Sequence, residues 1–223
     1  MRFKKILPHV YHLDFDRQYD VTMHFLRYQE YYESVRWHKQ IFALVDYMEW
    51  YAQTYGEGVF TYTTDWAGFN VPSEVLLAVA EADLPDPNRY DDQMRSLIEV
   101  ARQEELGHPF YFIGTSSGEE DGSDEDIEGI LDHEIGHALY YTDNEYLAAM
   151  EDLLDEMPRK NYDAAWAALQ EMGYHPTVCR DEIQAYACTG PCEELEKALP
   201  DKVCKPFIKE YKAQRKRIKK AHG

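Results

Sequence analysis

The sequence predicts a mainly helical α+β protein. Three observations carry that prediction. Apolar and aromatic residues recur at helical spacing along most of the chain, two short runs are β-branched or wholly apolar, and the composition suits a packed interior. The 223 residues are 44% hydrophobic and 14% aromatic, which is enough for one sizeable core and too apolar for a disordered chain. Apolar runs such as 41–45 and 110–113 fall far short of the roughly 20 residues that a membrane span needs.

Taken in order, residues 21–55 are dense in aromatics, and Phe25, Tyr28 and Tyr32 fall at helical spacing. Ile41, Leu44, Val45, Met48 and Tyr51 do the same, with Gly56 as a stop. Aromatics so placed read as core, because they bury large areas. Residues 59–64 (VFTYTT) read as a strand, and 68–72 (GFNVP) as a turn. Ser73 is positioned to cap a helix reaching about Ala82. After Pro85 and Pro87 a helix opens at Asn88 or Asp91 and runs to about Leu106, closed by Gly107. The run 110–115 (FYFIGT) reads as a strand buried on both faces.

Residues 119–128 hold seven acids in ten. DGSDED lacks the alternation of a calcium loop, so a solvated loop is expected. Ser123 and Asp126 form a capping box for a helix over 124–141, whose core stripe is Ile127, Leu131, Ile135, Ala138 and Leu139. Helices follow at 145–156 and 162–172, then at 180–188 with Thr177 as cap, then a short one at 193–199. A long basic helix begins near Lys202. The expected organisation is one domain, 1–223, comprising an aromatic N-terminal part (1–107), a central part (108–200) and the basic helix (201–223).

Net charge is −19, which argues against nucleic-acid binding by the body of the chain. Residues 201–223 hold nine Lys/Arg against two acids, a net of +7, so the remainder carries −26. A solvated helix is the first reading of that tail. A polyanion contact, or docking onto the acidic body, are the alternatives. Residues 1–13 show no apolar core of a secretory signal, since Pro8 and His9 interrupt them. The four cysteines are then expected as thiols in a reducing, cytoplasmic setting, with a disulfide or a second zinc site as alternatives.

The chemistry lies in His133-Glu134-Ile135-Gly136-His137. Positions i and i+4 stand one above the other on a helix, so two imidazoles reach one metal ion, and the Glu beside them serves as general base. The two histidines lie opposite the core stripe, with Ile130, Tyr140 and Tyr141. Two surface histidines on a helix are the bland alternative.

On this HExxH the chain resembles the zincin metallopeptidases, over about residues 108–190. The resemblance implies a small sheet packed on the HExxH helix and a bound Zn²⁺. It also implies a peptide or protein substrate, with 110–115 acting as an edge strand that receives it by β-addition. The segment 180–188 resembles the gluzincin helix that supplies a third ligand, here Glu182, although the Asp usual four residues later is Tyr186. Tyr186 and His175 are candidates to stabilise an oxyanion. Counting on as in metzincins reaches Asp143, but nothing before Thr142 stops the helix, so Asp143 would lie about 9 Å beyond His137 along the axis. Other acids and His175 remain in play as third ligand. Neither membrane nor specific nucleic acid is expected as partner. The reading is a zinc-dependent metallopeptidase using His133, His137 and Glu182 for metal and Glu134 for proton transfer. Its rivals are a non-catalytic zinc-binding regulatory protein and an interaction module using the aromatic region and basic tail.

The acidic stretch lacks ligand spacing. Replacing Glu119, Glu120 and Asp121 by Ser should therefore leave zinc affinity within about threefold, since exposed charges are screened beyond roughly 8 Å. Competition with a chelator measures this, and a tenfold loss would place the stretch at the site.

Overall fold

A Pro8-His9 turn, with His9 at φ 62°, folds the first residues into an antiparallel hairpin of β1 (Arg2–Leu7) and β2 (Val10–Phe15). Neither strand was foreseen from the sequence, because Lys4, Lys5 and His12 hide the alternation. The computed structural model describes residues 1–117 and 124–222, and the side chains of these except 124–126 and 222. The acidic stretch up to Ser123, and the expected Ser123–Asp126 capping pair, lie outside what it describes. The chain divides into two compact units, Met1–Leu131 and Asp132–Gly223.

The first unit holds a four-stranded sheet of order β1-β2-β4-β3. β4 (Tyr111–Ser116) runs parallel to β2, from Val10↔Tyr111 to Phe15↔Ser116, and antiparallel to β3 (Gly68–Pro72). All six β4 residues are buried, as the apolar run predicts. The expected edge strand is corrected here. Both edges of β4 are paired, so no backbone groups remain to receive an added peptide strand.

The segment 68–72 is thus a strand and not a turn. Phe69, Asn70 and Val71 are buried, and Pro72 closes a strand at the sheet's edge, where a missing N–H costs little. Ser73 does not cap: its Oγ accepts from Phe110 N–H at 3.2 Å, and its own N–H donates to Phe110 O. Pro72 occupies the cap position of α4 (Ser73–Ala80). Helix α1 (Gln18–Glu33) lies against the sheet. Gly114 makes this approach possible, since a Cβ there would stand 2.4 Å from the buried Phe25 ring.

Residues 59–64 also differ from expectation. Their second half is a short helix, α3 (Tyr62–Asp65). Glu57 and Gly58 turn the chain at φ 51° and 92°, and Thr61 Oγ1 donates to Asp65 Oδ2. The rings of Phe60 and Tyr62 join Tyr47 and Tyr51 of α2 (Leu44–Thr54). β-propensity reflects a fit to half-buried surfaces, and the aromatic cluster supplies that fit without a sheet. α5 (Arg89–Glu105) opens on an Asn88–Asp91 capping box and closes through Leu106 at φ 50° and Gly107. Buried Arg27 ties α1 to Asp91 (3.1 Å) and Asp86 (2.7 Å).

α6 (Asp124–Thr142) spans the division between units. Within the second unit, α7 (Asn144–Glu156), α8 (Arg159–Glu171) and α10 (Asp201–His222) pack against α9 (Cys179–Thr189). Thr177 does not cap α9, as its hydroxyl pairs with His175 Nδ1. The expected helix at 193–199 is a pair of turns, bracketed by Pro191 and Pro200. The C-terminal helix is present as expected, and it buries Val203, Phe207, Tyr211 and Ile218.

Glu30 of α1 is 9% exposed. Burial raises its carboxyl to about 7, against the hydroxyls of Tyr62, Tyr47 and Ser34, which favour the anion. The folded state therefore holds a proton that the unfolded state releases above about pH 4.5. This stabilisation is full below that pH and is lost as pH rises through 7. Glu30→Gln should remove on the order of 3 kcal/mol of pH-dependent stability between pH 4.5 and 8. Urea unfolding at both pH values checks this, and identical slopes for the two proteins would refute it.

Candidate functional site

α6 continues unbroken to Thr142, with His133 and His137 one turn apart on it. Their Nε2 atoms are 3.2 Å apart. Glu182, on the first turn of α9, brings Oε2 to 3.7 Å from His137 Nε2. Among the described residues, ligand atoms of His133, His137 and Glu182 converge within 4.8 Å of one another. Of the candidate third ligands, Glu182 is brought to the histidines. Asp143 is not: it caps α7 through the Glu145 and Tyr146 N–H groups and accepts from Gln214.

The two helices meet closely at Gly136. A Cβ there would lie 3.4 Å from Cys188 Sγ and 3.7 Å from Ala185 Cα, so little beyond a methyl group would fit. Gln184 Nε2 donates to Gly136 O across the same contact (3.3 Å).

Each imidazole is held from behind. Thr189 Oγ1 donates to Ala185 O (2.7 Å) and so accepts from His133 Nδ1–H at 3.1 Å. His137 Nδ1 donates to Asp181 Oδ1 at 3.0 Å. Gln184 Nε2 donates to the same Asp181 oxygen (2.9 Å), and Tyr146 OH donates to Gln184 Oε1 (3.3 Å). With both Nδ1 atoms donating outward, the Nε2 atoms face each other, and each offers a lone pair inward when its ring is neutral.

The third acceptor is Glu182 Oε2, which is buried and has no hydrogen-bond partner among the described residues. Three inward acceptors within 4.8 Å repel unless a cation or a proton lies between them. Two imidazoles and a carboxylate are the donor set for a tetrahedral zinc site with one position open, so the residues present fit that ion.

The titration directions follow the same contacts. Burial, and then the charge of His137, hold His133 well below its ordinary pKa. For His137 burial acts downward, but Asp181 and Glu182 outweigh it and the value rises well above normal. Burial raises Glu182 to about 8. Glu134 is 6% exposed and close enough to His137 and Glu182 to act on both electrostatically.

Of the other expected site residues, Tyr186 lies against the cluster, its ring centroid 4.5 Å from that of His133. Burial raises its hydroxyl pKa, which keeps it a hydrogen-bond donor. His175 sits in the turn before α9, bonded to Thr177, and is not one of the three converging residues. Sequence reasoning missed Thr189 and Gln184, and gave Asp181, the neighbour of Glu182, no role. The resemblance pointed to position 186 for the supporting acid, whereas Asp181, the residue before Glu182, takes that place. All four cysteines are free thiols. No family model, curated protein or solved structure matches the chain.

Three substitutions separate the roles. Glu182→Ala should weaken zinc by orders of magnitude. Asp181→Ala should weaken it about 10–100-fold, as for other groups that orient a ligand. Asp143→Ala should leave zinc unchanged and cost about 1 kcal/mol of stability as a lost helix cap. Zinc competition and thermal unfolding read both quantities, and loss of zinc in the Asp143 variant alone would reverse the assignment.

Proposed function

We propose that this chain is a zinc-dependent metallopeptidase of gluzincin-like type, hydrolysing peptide bonds in a peptide or protein substrate. The observation that carries the reading is the convergence of His133, His137 and Glu182, with outward partners fixing both imidazoles and Glu134 beside them. His133 Nε2, His137 Nε2 and a Glu182 oxygen would hold Zn²⁺, which when bound supplies Lewis acidity toward water and a scissile carbonyl.

The remaining work falls to the chain. Glu134 accepts the proton of the attacking water and returns it to the leaving amine. The Tyr186 hydroxyl is the candidate donor to the carbonyl oxygen. His175 is a further candidate donor, with less support from its position. Asp181 and Thr189 keep both rings in the tautomer that offers Nε2 inward. Free thiols suit a reducing compartment, and a cytoplasmic location is part of the proposal. No helix among the described residues is long and apolar enough to cross a membrane.

Glu134→Gln should retain near-stoichiometric zinc while hydrolysis of an unstructured protein falls by at least ~10²-fold. Metal analysis and peptide mapping of the same preparations test this. Zinc with no hydrolysis in the unmodified chain would leave the non-catalytic zinc-binding reading, and absence of zinc would remove both.

A further inference from the structure

The outer face of α10 bears a pattern that the metal site does not use. Lys202, Lys205, Lys209, Lys212, Lys216 and Lys219 follow one another at spacings of 3, 4, 3, 4 and 3 residues, and all are exposed. At 100° per residue they share an arc of about 100° with Lys220, opposite the face that buries Val203, Phe207, Tyr211 and Ile218. The arginines are placed differently. Arg215 reaches Asp132 at 3.1 Å and Arg217 reaches Glu210 at 2.6 Å, both from the flanks of the helix. None of the lysines of the row has an ion-pair partner among the described residues.

A solvated helix usually intersperses acids with its bases, but between Lys202 and Lys219 the row contains none; Asp201, at the start of the helix and four residues before Lys205, is the one acid on this arc. Its neighbours at i+3 and i+4 are like charges, each pair of which destabilises a helix slightly. The helix thus carries a standing repulsion that an anionic partner would relieve.

We infer that this row is a docking track for an extended, acidic polypeptide segment of the substrate. The row spans about 26 Å, the length of about eight residues of extended chain. It is a single narrow stripe along the helix, and residues 132–200 of the same unit carry fifteen Asp/Glu against four Lys/Arg. A nucleic-acid duplex presents two phosphate strands across grooves of about 6 and about 12 Å. One stripe serves only one strand, and the second would meet a unit whose other residues, 132–200, are net acidic. Apart from Pro206 and Ala213, the positions facing outward are charged, so no aromatic is offered for base stacking and no large apolar side chain for a bilayer. A single acidic chain meets neither obstacle. That the docked segment belongs to a substrate rests on the peptidase reading, whereas the docking itself does not.

The test measures binding of fluorescent octaglutamate to the full-length chain carrying Glu134→Gln, which removes turnover. Octaglutamate should bind at least about tenfold more tightly than octaglutamine near 20 mM salt, and should weaken about tenfold by 200 mM as screening grows. Changing Lys205, Lys209, Lys212 and Lys216 together to Gln should abolish the preference, and changing them to Arg should keep it. Circular dichroism checks that both variants fold, and the Arg variant holds the comparison if the Gln variant does not. No preference for octaglutamate, or a preference unaltered by the Gln changes, would overturn the proposal. So would tighter binding to a duplex oligonucleotide or to phosphatidylserine vesicles. Binding of octaglutamate by a chain that hydrolyses no unstructured protein would sink the peptidase reading and leave the docking track standing.

Discussion

Burying several ionisable groups in one small volume is costly unless each finds a partner, and the contact between α6 and α9 is organised around that constraint. His133, His137, Glu134, Glu182 and Asp181 all meet there. Two of their partners come from behind, Thr189 for one ring and Asp181 for the other. Gln184 and Tyr146 extend the second of these into the interior. What stays unbalanced is the inward side, where two ring nitrogens and a carboxylate oxygen face one another. The metal proposal rests on that imbalance, which a cation or a proton held between the three atoms relieves. The close approach at Gly136 is the steric condition for it, since a bulky residue there would push the ligand helix away.

The first unit depends on packing rather than on charge. Its sheet is short, and the parallel pair β2–β4 is buried beneath α1, with Phe25 seated on Gly114. The rings of α2 and α3 then gather around the same helix, enclosing Glu30. Polar groups are admitted where they close a loop. Arg27 gathers three backbone segments, and Glu105 receives Lys5, Tyr11 and His9 from the N-terminal hairpin at 2.6, 2.6 and 2.5 Å.

The second unit divides its charges by position. On α10 the apolar residues face inward, the arginines clamp the flanks, and the lysines are left outward. Tyr211 and Arg215 both reach Asp132, the residue before His133, so the basic helix is fastened to the base of the turn that carries the two histidines. Electrostatic recruitment and hydrolysis, as proposed, would then be carried by one packed group of helices.

Local signals in the sequence determined the long helices, the stop at Gly107, the burial of 110–115, and the i, i+4 pairing of His133 and His137. These are properties of spacing and of backbone freedom, and they need no distant partner. Tertiary structure decided the rest. The Val59–Thr64 segment took ring contacts over a strand ladder, the Gly68–Pro72 segment became a strand because β4 offered it an edge, and β4 itself was closed on both sides. Thr177 lost its cap to His175. Glu182 could be named only through a resemblance, because 45 residues of chain separate it from His137 and spacing says nothing about which helices cross. Asp181 and Thr189 were illegible for the same reason: orienting an imidazole depends on the direction of a side chain across a helix contact, and that direction exists only once the helices have packed.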